Sequence, residues 1–522
     1  MSKSYPSECP NSTKAIEPGC WICLPLAAKS PAFPGKLDVL GRLQYARAMP
    51  PSDSYRPAPR ILGLGAGFAD PVEPARFPEH ALRFRNQRWA ERVGLGALSG
   101  QEWTAHFARF EPLPENLPAP LALRYHGHQF DSYNPDLGDG RGFLFAQLLD
   151  SQDQRLLDLG TKGSGRTPYS RGGDGRLTLK GGIREVLATE MLEALGVYTS
   201  KTFSLFETGE ALMRGDEPSP TRSSVLVRLS HSHVRIGTFQ RLAYLDEAPK
   251  IQALLDYCIA NFYPELSAAE DRASAFLREV TRRSARLCAS WLVAGFVHGV
   301  LNSDNMVITG ESFDYGPYRF LPRYETNFVA AYFDSVGLYA FGRQPRAVLR
   351  NLTRLAECLA LIAEPGKLSR ALSDFPEELS KCRAEFLLQR LGLAAREHDE
   401  DQHFSSVCWD FLAASGMPYD QFFFDWYGGS ASTARAANSP AASHYAAPSF
   451  EPVRAELESR SATQPSALAT PYFQRAEPCT LVIDEVERVW SAIAERDDWT
   501  PFERKVADIR ELARIRDRAD PS

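Results

Sequence analysis

Residues 298–314 read HGVLNSDNMVITGESFD, and the reading of this stretch decides the fold. Asn305 lies seven residues beyond His298, and Asp314 follows nine residues later, itself followed by Tyr-Gly. An amide oxygen and a carboxylate in this order suit the metal site of an enzyme that handles nucleotide phosphates. A second carboxylate, Asp304, adjoins the Asn. Five residues before Asn305 stands the apolar Val300.

Kinase-like phosphotransferases build their metal site in this order, a catalytic-loop Asn followed by a downstream Asp-x-Gly. In a kinase the position of Val300 holds the catalytic Asp. The chain therefore keeps the metal ligands and lacks the usual base, which points to nucleotide chemistry other than ordinary phosphoryl transfer. Residues 271–297 read as a long helix leading into this loop, with His298 holding it through a backbone hydrogen bond. The run YGPYRFL after Asp314 corresponds to the start of an activation segment. Helices over 346–363 and 376–395 complete a helical lobe.

Moving toward the N-terminus, residues 77–94 look helical, with Gly94 suited to the helix end. Further on, LGDGRG (137–142) reads as a glycine turn feeding the strand FLFAQLL. A second strand, RLLDLGTKG, carries Lys162. Glycines admit close backbone approach to phosphates, and a Gly-rich turn, a strand and then a Lys-bearing strand is the order of a kinase N-lobe. The next segment is polar and glycine-dense, and its Arg166, Arg171, Asp174 and Arg176 suit an anion-binding loop. It runs into an amphipathic helix whose Ile183, Leu187, Met191, Leu192 and Leu195 face a core. Glu185 in its first turns is the natural partner of Lys162. A strand-like run, SSVLVRLSHSHVRIGTF, then bears Arg228 and Arg235, side chains suited to bidentate phosphate contacts.

The remaining features set bounds. With 522 residues, 44% hydrophobic and 24% charged, the composition is that of an ordinary globular protein. A net charge of −6 argues against general nucleic-acid binding. The longest apolar run is too short to span a bilayer, and no signal or transit peptide is evident, so a cytoplasmic location is expected, with mitochondria the alternative for a eukaryotic source. The nine cysteines form no disulfide framework. The one C-x-x-C, Cys20 and Cys23, lacks both a βαβ context and nearby zinc ligands. The expected organisation is an irregular segment over 1–60 and a catalytic domain over 61–427. Its N-lobe spans about 125–245 and its C-lobe about 246–427. An Ala/Ser/Pro-rich linker over 428–470 and a helical segment over 471–522 follow.

From about residue 68 to 360 the chain resembles the selenoprotein-O-like (SelO) protein adenylyltransferases. The resemblance is carried by YHGHQF, NPDLGDGR, LGTKGSGRTPYSRGGDGR, VLVRLSHSHVRIGTF, GFVHGVLNSDNM, DYGPYRFL and YAFGRQP. It implies an α+β, protein-kinase-like bilobal fold and transfer of AMP from ATP to Ser, Thr or Tyr hydroxyls of protein substrates, with pyrophosphate released. ATP is held reversed relative to kinases. Matched position by position, Gly138, Gly140, Arg141, Lys162, Asp174, Gly175, Arg228, Arg235 and Asp314 would contact the nucleotide, Lys162 being oriented by Glu185. Asn305 and Asp314 would hold Mg2+, with Mn2+ as a substitute, and Asp304 would accept the proton of the target hydroxyl. Departures from the family are Ala330, where members carry an activation-segment cysteine, and Cys479 as the last cysteine, so a redox bridge is not expected. Two alternatives stand beside this reading. One is a kinase-like phosphotransferase, opposed by Val300. The other is a silent ATP-binding scaffold, opposed by the joint presence of Lys162, Asn305 and Asp314. Oligomeric state is left open.

Overall fold

The computed structural model describes residue 52 and residues 54–517. Most of the irregular segment expected over 1–60, including Cys20 and Cys23, lies outside the described residues. The N-terminal half is built on an antiparallel sheet. Its strands are β1 (Ala69–Pro71), β2 (Ala81–Arg85), β3 (Leu121–Leu123), β6 (Leu144–Leu149), β7 (Leu156–Lys162), β8 (Leu177–Thr178), β9 (Lys201–Leu212) and β10 (Thr221–Ser230). The order is β1-β3-β6-β7-β10-β9-β2, with β8 added beside β10. A separate hairpin, β4 (Gly127–Gln129) and β5 (Ser132–Asn134), lies off this sheet.

Strand side chains alternate between faces, and both faces here are covered. On one, Phe143, Phe145, Leu157, Leu159, Phe203 and Val227 pack with Trp103 and Phe107 of the Gly100–Phe107 helix. On the other, Leu144, Leu156, Leu205 and Leu226 meet Ile183 and Leu187 of the Leu179–Ala194 helix. Thr178 caps that helix, its hydroxyl accepting from the Gly181 N–H at 3.1 Å.

The helix expected over 77–94 is not what forms. Ala81–Arg85 is an edge strand paired with β9, and only Gln87–Arg92 is helical. Backbone pairing to an open sheet edge overrides the local preference, while Gly94, at φ +74°, does follow the helix end. Strands β1 to β3 also extend the sheet ahead of residue 125, where the N-lobe was expected to begin.

The C-terminal half is helical. Arg272–Ala294 is its central helix, started by Asp271 accepting from the Ser274 N–H and ended by Gly295 in the left-handed conformation. Gln344–Leu359 and Phe375–Leu391 pack against it. The linker expected over 428–470 is folded instead. Short helices such as Glu451–Ser459 bury Tyr445, Phe450, Val453 and Leu457 against the His398–Ser415 and Tyr419–Asp425 helices. Its few large apolar residues face one cluster, so a low average hydrophobicity conceals a real core contribution. The last helices, Ile483–Arg496 and Thr500–Asp517, dock on the Leu179–Ala194 helix. Arg510 pairs with Glu190 there at 2.8 Å, and Lys180 with Glu487 at 2.7 Å. The described cysteines, Cys258 through Cys479, are buried free thiols.

Candidate active site

Between sheet and helices lies a cleft of about 680 Å³. At its deep end β7 and β10 are in register, with Lys162 opposite Leu226 and Gly160 opposite Arg228. Lys162 and Gly160 are two residues apart, so Lys162 and Arg228 emerge on the same face. The Lys162 ammonium pairs with Glu185, buried on the Leu179–Ala194 helix, and with Asp314 at 2.7 Å. Arg228 reaches the same Asp314 oxygen at 3.3 Å and Glu185 at 3.6 Å, and its guanidinium lies over the Phe313 ring. Burial alone would raise the Asp314 carboxyl. Lys162, then Arg228 and Arg235, outweigh it and hold the group well below the usual carboxylate value. Asp314 sits at φ +65°, a conformation that a non-Gly residue adopts only when its surroundings enforce it. One enforcer is His298, whose Nε2 meets the Phe313 carbonyl at 2.9 Å, the backbone role expected of it.

The outer wall is the glycine turn 137–142 and the loop 163–176. A Cβ on Gly138 would lie 2.3 Å from the Tyr169 ring, and one on Gly140 2.7 Å from the Tyr169 carbonyl. These glycines therefore admit the Thr167–Ser170 backbone, which is bonded to the turn by Thr167 Oγ1 and Ser170 Oγ, each 2.5 Å from a turn carbonyl. Gly175, at φ +72°, abuts Gly165 so closely that any side chain would collide. Asp174 holds the Arg214 guanidinium at 2.8 Å, and Arg176 pairs with Glu210. Arg141, Arg166 and Arg171 also line the cleft; among the described residues none forms a close ion pair with a carboxylate, although Arg141 acts on Asp314 and Arg171 on Asp304 at longer range.

The third wall is the loop 300–305. Asn305 donates through Nδ2 to the Val300 carbonyl at 3.1 Å, which orients the amide and leaves Oδ1 for another ligand. Asp304 is 7% exposed, and its Oδ1 is buried without a hydrogen-bond partner. Burial pushes its carboxyl up to about 6 against the opposing pull of Arg235. Arg235 leaves the strand expected to carry it, because β10 ends at Ser230 and Arg235 immediately precedes the Ile236–Tyr244 helix. It donates to Asp139 at 3.0 Å and to the Asp304 carbonyl at 2.9 Å, between the Tyr125 and Phe313 rings.

The structure brings every sequence-predicted site residue to this cleft except Glu185, which stands behind Lys162. Three features escaped residue-by-residue reading. Asp139 engages Arg235, and Tyr169 fills the space the glycines leave. The β4–β5 hairpin roofs the catalytic loop: a Cβ on Gly127 would lie 3.0 Å from Asp304 Oδ1, and the His128 N–H donates to Ser303 Oγ at 2.8 Å. The YHGHQF stretch that builds this roof was visible as a motif, without its role. A second cavity, about 320 Å³ and lined by Phe386, Phe423, Tyr472 and Phe473, contains none of these charged groups.

Asn305 Oδ1 and the free Oδ2 of Asp314 are oxygen donors at the cleft that could hold a cation. Two protein ligands fit Mg2+, which takes the rest of its shell from phosphates and water, and no all-protein metal cluster exists among the described residues.

Exposed arginines, a fixed lysine and two oxygen donors in one polar cleft are chemically suited to an anionic, phosphorylated ligand. Residues 53–510 match the family described as Protein adenylyltransferase SelO. A Synechocystis sp. protein named Protein nucleotidyltransferase YdiU is 44% identical over 483 residues, covering 86% of this chain and 96% of its own length. Proteins of the same name from Synechococcus elongatus and Vibrio cholerae are 47% identical over 381 residues and 36% over 372. These alignments cover 71% and 70% of this chain, and 74% and 73% of the relatives. The chain belongs to the SelO family of protein adenylyltransferases and is of the nucleotidyltransferase class. No described helix is long and apolar enough to cross a membrane.

Proposed function

We propose that the chain transfers AMP from ATP to Ser, Thr or Tyr hydroxyls of proteins, on a kinase-like bilobal scaffold, with pyrophosphate as the other product. The sheet would be the N-lobe and the helices from Ala248–Phe262 onward the C-lobe. The observation that carries the reading is Asp304. It offers a buried, unpartnered carboxylate oxygen at the cleft, while the usual kinase base position holds Val300.

The inner phosphates of a reversed ATP would be bound by Lys162, Arg228 and Arg235, leaving the α-phosphate toward the open side. Arg141, Arg166 and Arg171, lacking carboxylate partners of their own, can pair with phosphate at no cost in broken ion pairs. Asn305 and Asp314 would hold Mg2+, which when bound neutralises phosphate charge and favours departure of pyrophosphate. Asp304 would take the proton of the target hydroxyl as its oxygen attacks the α-phosphorus and the α–β bridging oxygen leaves with pyrophosphate. Glu185 acts through Lys162, holding the ammonium in place.

Incubation with ATP labelled at the α- or the γ-phosphate tests this directly. Protein label from the α-position alone is expected. Label from the γ-position alone would establish phosphoryl transfer instead, and no label from either would leave a silent nucleotide binder.

A further inference from the structure

The segment after Asp314 carries apolar side chains that are left largely exposed among the described residues. Tyr332 is 83% exposed and Val336 72%, with Phe333 between them also exposed. The other large exposed apolar residues among those described are isolated or form the Tyr244–Leu245 pair, so this cluster of three within five residues stands apart. Its exposure is imposed by a well-bonded backbone. Asp334, buried, accepts from the Leu338 and Tyr339 N–H groups at 2.8 Å each, and the Asp334 and Gly337 N–H groups close successive turns. A loop held in this way presents its side chains in a set place.

That place adjoins the catalytic loop by two routes. Phe333 packs edge-on against Phe130, centroids 5.9 Å apart, and Phe130 packs on Tyr339 at 5.1 Å. Both lead to Asn302, whose Oδ1 accepts from the Tyr339 hydroxyl at 2.6 Å and the Phe130 N–H at 3.2 Å, two residues before Asp304. Separately, the Ala330 side chain just ahead of the cluster fits the space left by Gly299, where a Cβ would approach it to 3.1 Å. The cluster lies outside the cleft, whose lining is mostly glycine and charged side chains with Tyr125, Leu137, Tyr169 and Val300 as its apolar part. The one reactant that must reach Asp304 from outside and brings apolar side chains with it is the polypeptide target.

We propose that Tyr332, Phe333 and Val336 form a docking surface for an apolar side chain of the target, flanking the accepting hydroxyl by a few residues. This rests on the AMP-transfer reading and adds a sequence preference to it. The surface would select targets, while the chemistry stays with Asp304 and the metal pair.

The test is a synthetic peptide library with one central Ser, Thr or Tyr and each flanking position fixed in turn, incubated with α- or γ-labelled ATP and Mg2+. Preferential α-label on peptides with Leu, Ile, Val, Met or Phe at a flanking position is expected. The Tyr332→Ser/Val336→Ser variant should lose that preference and raise KM for a favoured peptide about tenfold, with KM for ATP and the melting temperature unchanged. Labelling without apolar preference, or the same preference in the variant, overturns the docking surface while AMP transfer stands. A preference read only in γ-label overturns AMP transfer and leaves the surface. A library that takes no label from either nucleotide overturns both.

Discussion

The two ends of the cleft differ in how their charges are satisfied. At the deep end Lys162, Glu185, Asp314 and Arg228 form a closed set in which each charge meets its opposite within 3.6 Å. At the outer end Arg141, Arg166 and Arg171 have no carboxylate, and Asp304 Oδ1 has no donor. A closed buried set holds its geometry before ligand arrives, at the price of desolvation already met in folding. The three outer arginines are exposed and hydrated, so lacking a carboxylate costs them little, whereas the buried Asp304 Oδ1 goes without a donor. On the proposed reading, the contrast divides the labour: the deep end would position, and the outer end would react and recognise.

Each substitution below strains that division, beginning with the most severe. Asp314→Ala removes the proposed cation ligand and the counter-charge of Lys162 together, and α-label transfer should fall by about three orders of magnitude or more. Retained transfer would show that the cation is held elsewhere. Asp304→Asn should lower transfer by about 10²–10⁴-fold with KM for ATP little changed, because on the proposed reading it removes a proton acceptor and no phosphate contact. A large rise in KM with kcat intact would reassign Asp304 to nucleotide binding.

Stability separates the two ends from a different side. Lys162→Ala strands Glu185 in the interior and should cost about 3 kcal/mol in urea unfolding. A loss below about 0.5 kcal/mol would mean that Arg228 alone compensates Glu185. Asp304→Asn should act in the opposite direction when measured without ATP and in EDTA. The folded carboxyl is raised to about 6 from 3.8, so between those values the folded chain keeps a proton that the unfolded chain releases. Wild-type stability therefore falls as pH climbs through that window and stays lowered above it. The variant should be more stable than wild type at pH 8, on the order of 2 kcal/mol, with no such advantage at pH 4. An equal difference at both pH values would remove the unpaired carboxylate as its cause. The smallest effect belongs to Arg166→Gln and Arg171→Gln, each expected to raise KM for ATP about tenfold or less with an unchanged melting temperature. A drop in melting temperature would show that these arginines are structural.

Much of this was legible in the chain because the decisive signals are local. The H-G…N…D-Y-G order, Lys162 at the end of an apolar strand and Glu185 in the first turns of an amphipathic helix each need only a short window. Asn305, Asp314 and Lys162 line the cleft, and Glu185 stands behind Lys162. The misread segments are those where local preference and tertiary context disagree. Residues 81–85 carry no strong strand pattern, yet an open edge of β9 recruits them. Residues 428–470 have the composition of a linker, yet Phe450 and Leu457 find a ready apolar face.

The amino-acid sequence alone thus determined the family and the lysine–glutamate pair, since short windows specify backbone form and residue type. Only the tertiary structure decided which of those groups are satisfied. Asp314 meets Lys162 across 152 residues, Gly127 lies over Asp304, and Arg510 reaches back 320 residues to the helix that carries Glu185. Whether a charge is paired or orphaned depends on which distant side chain packing brings beside it, and no window of neighbouring residues contains that information.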